Sequence, residues 1–243
     1  MFQRFLICAL VLILLNCSAG PPIRKGSQPT AQTSYEEGVY YKNQKNWELA
    51  IEKLDTVRHR FPLSPYAKKA ELEIADIHFI RKNYIDARLT YELYKQFHPT
   101  DPHLDFVQYR IGLAYFYEIP SAIDRDTTPL YDTIDAFNVL KTHFPKSKHI
   151  TDAHNKIQVC RGKLAQRSLY VASYYYRTKA YKSALGRGLE VLKVYRDTGH
   201  NEEAYFYIIS SYDKLNQKEN ARKYFEKLKK EFPNSTYISK INL

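Results

Sequence analysis

The chain has 243 residues, a formal net charge of +11 and a pI near 9.3. Its 8 glycines are too few for an all-β chain built on tight turns. Its 22 tyrosines and 12 phenylalanines, against one tryptophan, suit helix pairs in which each ring buries its body and keeps a polar edge wet. The basic balance reads as a solvated surface or as a match for anionic partners. No arginine-rich run and no nucleic-acid motif is present, which argues against nucleic acid.

The N-terminus comes first. Arg4 is followed by an unbroken apolar run at residues 5–15. A membrane-spanning helix needs roughly 20 apolar residues, so this run is too short and fits the core of a signal peptide over residues 1–16. It ends in Leu14, Leu15, Asn16 and Cys17, which resembles the lipobox of bacterial lipoproteins. The resemblance implies removal of the leader before Cys17 and acylation of that residue; an ordinary secreted protein is the other reading. Asn16 departs from the Gly, Ala or Ser usual before the cysteine. Ser18 stands where lipoproteins kept in the inner membrane often carry Asp, so the resemblance implies outer-membrane sorting. Residues 17–32 hold three prolines and two glycines and read as a lipidated terminus with a flexible tether.

Helices are expected from Thr33, where Thr33 and Ser34 precede Glu36 and Glu37. Gly38 and Tyr41 face Ala50 and Leu54 of the next stretch, residues 47–66. In that stretch Ile51, Leu54, Val57 and Phe61 recur at spacings of three and four and share one face. Pro62 ends the helix, because it lacks an N–H and disfavours helical geometry just before it. The pattern returns at residues 84–99, with Ala87 and Pro99 in the places of Ala50 and Pro62. It returns at 131–145 and at 218–233. A weaker copy at 181–196 has Arg196 where proline is expected. Gly112 and Tyr115 repeat the Gly38 and Tyr41 pair.

A recurring small residue with an aromatic three positions on resembles the antiparallel helix pair of tetratricopeptide repeats. The expected fold is therefore all-α, a right-handed α-solenoid of five such pairs over residues 33–233, with a short tail at 234–243. No linker interrupts it, so one folded domain is expected. Residues 118–129 interrupt the third pair, and insertions of this kind map to loops on one face. Residues 148–177 read as one long helix joining the two halves of the array. One ring of the run Tyr174, Tyr175 and Tyr176 must face outward.

No arrangement for catalysis emerges, so the protein is not expected to be an enzyme or to carry a cofactor or metal. His149 and His154 are spaced for different helix faces. His98 and His103 flank two prolines without a completing Cys or acidic pair. Cys160 reads as a small core residue. Asp124, Arg125 and Asp126 in the insertion read either as a solvated loop or as a contact loop.

The order of these features resembles the BamD family, the tetratricopeptide lipoproteins of the machinery that inserts β-barrels into bacterial outer membranes. The resemblance rests on residues 61–70, 98–113, 124–126 and 143–153, and on the tyrosines ending the long helix. It implies a non-catalytic lipoprotein anchored in the outer membrane and facing the periplasm. Its partners would be the barrel-forming assembly subunit, other assembly lipoproteins and unfolded outer-membrane proteins. It implies a site in the N-terminal repeats for the aromatic C-terminal signal of those substrates, with Tyr41, Phe61 and Tyr66 as candidates. Arg187, Lys193 and Asp197, with Asp124, Arg125 and Asp126, become candidate contacts for the barrel subunit. Lys193 stands where the family has a basic residue, and it cannot pair bidentately as Arg does. A periplasmic adaptor in envelope division or peptidoglycan coordination is the alternative.

Overall fold

Apolar residues spaced by three and four have one way to leave water together, and the chain takes it repeatedly. The structure, a computed structural model, describes residues 28–243. Cys17, the leader and most of the tether lie outside the described residues. Ten α-helices are present among the described residues, with no β-strand. They are α1 (Ala31–Asn43), α2 (Trp47–Arg60), α3 (Pro65–Ile80), α4 (Tyr84–Phe97) and α5 (Leu104–Glu118). Then follow α6 (Thr128–His143), α7 (Ile150–Arg177), α8 (Tyr181–Val194), α9 (Asn201–Lys214) and α10 (Lys218–Glu231). They form five pairs in chain order, the α-solenoid class expected from the repeat. The first helix begins at Ala31, two residues before the expected start, because the Thr30 hydroxyl and Thr33 cap each other reciprocally. None of these helices is long and apolar enough to cross a membrane.

Two kinds of turn build the array. Within four pairs the helices join through a three-residue turn, at residues 44–46, 81–83, 178–180 and 215–217. The middle residue is left-handed each time: Lys45 at φ 58°, Lys82 at 64°, Lys179 at 63° and Asn216 at 59°. The third residue then donates back across the end of the preceding helix. Asn46 reaches the Tyr41 carbonyl, Asn83 His78, Ala180 Tyr175 and Gln217 Tyr212, each at 2.9 Å. This closure satisfies carbonyls that a helix end leaves open.

The turn that ends each pair is different. Ser64, Asp101, Ser147 and Ser235 each donate a backbone N–H to the residue three before: Phe61, His98, Phe144 and Phe232, at 2.9–3.1 Å. The same side chains accept from the backbone two residues on, at Tyr66, His103, His149 and Tyr237. A proline follows the first residue each time, which stops the preceding helix. At the fourth such turn Arg196 replaces proline. There the chain makes a 3-10 turn, Arg196–Thr198, and leaves it through Gly199 at φ 80°. Thr198 still donates to the Tyr195 carbonyl at 3.0 Å, so the turn survives without the proline.

The chain divides into two compact units, one ending at Thr90 and one running Tyr91–Leu243. In the first, Ala50, Leu54, Val57, Ala70, Ile74 and Ile77 form the core. Gly38 admits α2: a Cβ there would stand 2.7 Å from Leu54. Burying a side chain such as Leu54 contributes about 2 kcal/mol.

In the second unit one core centres on Cys160, Leu164, Leu169 and Val191, and another on Tyr205, Ile209, Ala221 and Leu228. A Cβ at Gly112 would stand 2.4 Å from the Phe137 ring. The long helix α7 has 28 residues and packs against α5, α6, α8 and α9. It therefore bridges the third pair to the fourth and fifth. Tyr174 is the outward ring of the tyrosine run, at 54 % exposure. Tyr176 packs against Tyr181, Phe206 and Tyr207.

Candidate functional site

Of the aromatic candidates of the first repeats, Tyr41 lies on α1, Phe61 on the turn after α2 and Tyr66 in the first turn of α3. Tyr41 and Tyr66 are half-buried and pack against the core of the first unit. Tyr66 also lies 5.5 Å from Tyr35, whose hydroxyl donates to Glu73 at 3.3 Å. Lys42 pairs with the same carboxylate at 2.5 Å. Burial, with Glu73 beside it, pushes the Tyr35 hydroxyl up to about 12. Phe61 opens the recurring turn, at the position that His98, Phe144 and Phe232 fill elsewhere. Tyr66 likewise shares its position with His103, His149 and Tyr237.

These two candidates thus hold places the fold uses in other repeats. What sets this turn apart is Leu63, since cations also lie over Tyr195 and Tyr237 at the matching positions of later turns. The Arg60 guanidinium lies 5.9 Å from the Phe61 ring centre and the Lys69 ammonium 5.3 Å from that of Tyr66. Between the two residues in the chain, Leu63 is 99 % exposed. An apolar side chain wholly in water beside two cation-covered rings is suited to contact an aromatic or carboxylate-bearing segment.

The insertion of the third pair is anchored by its backbone and leaves its charges outward. Arg167 of α7 donates to the Ile123 carbonyl at 3.1 Å. Asp126 accepts from the Thr128 backbone N–H at 2.9 Å and from its hydroxyl at 2.8 Å. These bonds hold the Asp126 carboxyl below the usual range and start α6. Asp124 and Arg125 are exposed. Of the three candidates in the loop, then, Asp126 has a local structural task and the other two face water.

Arg187, Lys193 and Asp197 are not gathered at one point. Arg187 pairs with Glu190 at 2.9 Å, and Glu190 also accepts from Ser168 of α7 at 3.0 Å. Lys193 is exposed on α8. Asp197 pairs with Arg161 of α7 at 2.6 Å, which holds its carboxyl below the usual range. Arg161 also donates to the Val194 carbonyl at 2.7 Å. Sequence reasoning missed Arg161, Arg167 and the pairing of Arg196 with Glu231 at 2.9 Å. Each joins residues more than thirty apart, and no local pattern signals such a pair.

Among the described residues no group of three or more His, Cys, Asp or Glu is placed to hold a metal ion. The His98 ring lies 4.6 Å from that of Tyr94, tilted by 51°, while His103 bonds Asp101 at 3.0 Å. Cys160 is fully buried, and burial pushes its thiol up to about 11, away from reactivity.

A family model described as YfiO, outer membrane lipoprotein, matches residues 27–228. The chain belongs to the YfiO family of outer membrane lipoproteins. Among curated members, it is 27 % identical to the outer membrane protein assembly factor BamD of Rickettsia prowazekii, over 94 % of this chain and 90 % of the relative. It is also 27 % identical to the BamD of Neisseria meningitidis serogroup A, over 98 % and 94 %. YfiO membership thus extends across both compact units. Of solved structures, the type IV pilus biogenesis factor PilW is similar at a TM-score of 0.39 and 12 % identity, over 88 % of this chain and 99 % of that one.

Proposed function

We propose that the chain is a non-catalytic, lipid-anchored component of the machinery that assembles β-barrel proteins in a bacterial outer membrane. Residues 1–16 serve as the signal peptide, and Cys17 carries the acyl chains. More than one chain is needed for stable anchoring. The tether holds the helix pairs off the lipid on the periplasmic side. The membership of the outer membrane lipoprotein family and the assembly-factor relatives support this reading.

The observation that carries the substrate side is the turn from Arg60 to Lys69, where wholly exposed Leu63 stands between cation-covered Phe61 and Tyr66. In this proposal Phe61, Tyr66 and the neighbouring Tyr41 receive the aromatic C-terminal segment of an unfolded barrel protein. The cations of Arg60 and Lys69 face its carboxylate. The periplasmic part of the barrel-forming subunit is received by the second unit, through Arg187, Lys193, Asp197 and the exposed Asp124 and Arg125.

The test is a mild-detergent pull-down of tagged full-length chain from membranes, beside Cys17→Ala and Leu63→Glu variants. Recovery of a large barrel protein with periplasmic repeats is expected. Leu63→Glu is expected to retain that protein and to lose crosslinking to a peptide ending in phenylalanine. Recovery of division or cell-wall proteins instead would sink the proposal. If Cys17→Ala fractionates with membranes as the parent does, the anchor is wrong.

A further inference from the structure

The second unit carries a hollow lined by none of the candidate contact residues. It is a groove of about 590 Å³ on the third pair, between the end of α4 and the face of α6, with α5 as its floor. Ile111 and Ala136 supply apolar floor, both nearly buried. Gln108, only 3 % exposed, is fixed there: its amide donates to the Ala136 carbonyl at 2.9 Å and its oxygen accepts from Lys95 at 2.6 Å. A second hollow shares Lys95, Pro99 and Val139 with the first, and a third shares His143 and Phe144 with the second. The three make one trough along α6. From Asp132 to His143 it runs roughly 17 Å, the length of about five residues of extended peptide.

Charge decides what fits it. Asp132 and Asp135, three apart on one face of α6, both line the first hollow. Neither carboxylate makes a hydrogen bond or ion pair with any described residue, in a chain whose net charge is +11. Surplus cations lie elsewhere on the surface, yet these two carboxylates stand uncompensated beside an apolar floor. Lys95 is turned to the Gln108 amide rather than toward them, and its ammonium keeps hydrogens for a carbonyl oxygen.

We infer that this trough is a docking site for an extended peptide segment of a partner protein, one that sets a basic side chain on Asp132 and Asp135 and apolar side chains on the floor. The segment lies along α6, with a backbone carbonyl accepting from Lys95. The site is separate from the aromatic turn of the first unit and does not depend on the barrel-assembly proposal.

A fluorescein-labelled, amidated five-residue peptide alternating lysine and leucine is the probe. Its binding to the full-length chain in detergent is read by fluorescence anisotropy, beside a peptide with glutamate for lysine. The lysine peptide is expected to bind, and the glutamate peptide to bind at least tenfold more weakly. The double variant Asp132→Asn with Asp135→Asn is expected to weaken the lysine peptide by about tenfold. Glu219→Gln, at an exposed carboxylate on α10 outside the trough, is expected to leave it unchanged. Circular dichroism checks that the variants keep their helix content, and Val139→Arg gives a second, steric way to close the trough. Failure of the lysine peptide to bind the parent overturns the inference. So does binding that ignores both the double variant and Val139→Arg, or that Glu219→Gln weakens equally.

Discussion

The connection inside the third helix pair and those inside the other four solve one problem by different means. Residues 44–46, 81–83, 178–180 and 215–217 close on themselves, through a left-handed middle residue and a backbone bond to the preceding helix. The third connection, between Glu118 and Thr128, is longer and is tied down from outside, by Arg167 and by Asp126. Backbone closure needs no particular side chain and spares no surface for anything else. Closure by side chains leaves Asp124 and Arg125 free to face water. A regular scaffold can thus carry one exposed loop without disturbing the helices on either side.

Substitutions can test how deep that difference goes. The largest effect is expected where the two kinds of pair are alike. Gly112→Ala sets a Cβ against the Phe137 ring, and Gly38→Ala sets one against Leu54. Each should lower stability by roughly 1–3 kcal/mol in denaturant unfolding. If Gly112→Ala were harmless, the third pair would not share the packing of the first.

Next comes the tie itself. Arg167→Ala removes the bond to the Ile123 carbonyl and should cost about 1 kcal/mol. Hydrogen exchange should quicken in residues 119–127 and stay unchanged in residues 178–180. Lys179→Gly probes the opposite class and should raise stability by about 0.5–1 kcal/mol, since glycine adopts φ 63° without the Cβ clash. An unchanged melting temperature would mean that lysine bears no strain there.

The smallest effect concerns pH. The His149 ring stacks on Tyr109 at 4.1 Å and 9°, and Tyr109 donates to Asp152 at 2.7 Å. Burial, with Lys148 and Arg110 nearby, holds the His149 pKa below its ordinary 6.5. A depressed pKa means that the folded chain resists protonation. Stability is therefore full above pH 6.5 and declines as pH falls below it. His149→Phe keeps the stack and removes the titration, so its melting temperature should fall less between pH 7 and pH 5. Parallel curves would assign the decline to other groups.

Much of the fold was legible because it is local and repeated. Alanines and prolines at fixed offsets gave the pairs, and the spacing of Gly112 and Tyr115 located the third one despite its insertion. Arg196 marked the one turn that departs from the others. The long helix was expected over residues 148–177 and begins at Ile150, since the Ser147 hydroxyl accepts from the His149 N–H and ends the turn there. The candidate contacts were less legible. Phe61 and Tyr66 hold places that Phe144, His149, Phe232 and Tyr237 fill in other turns, where backbone groups make the bonds. Leu63 gave no signal, since one leucine in a loop is unremarked until its exposure is known. The ties of Arg161 and Arg167, and the trough along α6, depend on which helices become neighbours, and no short pattern carries that.

The length of α7 has a further consequence. At 28 residues it runs about 42 Å and touches the third, fourth and fifth pairs. A repeat array with only nearest-neighbour contacts can unzip one repeat at a time from either end. A shared beam forbids that in the second unit: fraying the fifth pair uncovers part of the helix on which the third also rests. The energy of opening is pooled across the unit, and its amides should exchange together rather than in sequence. A surface that receives partners along such a beam would keep its spacing under load, as a ruler does.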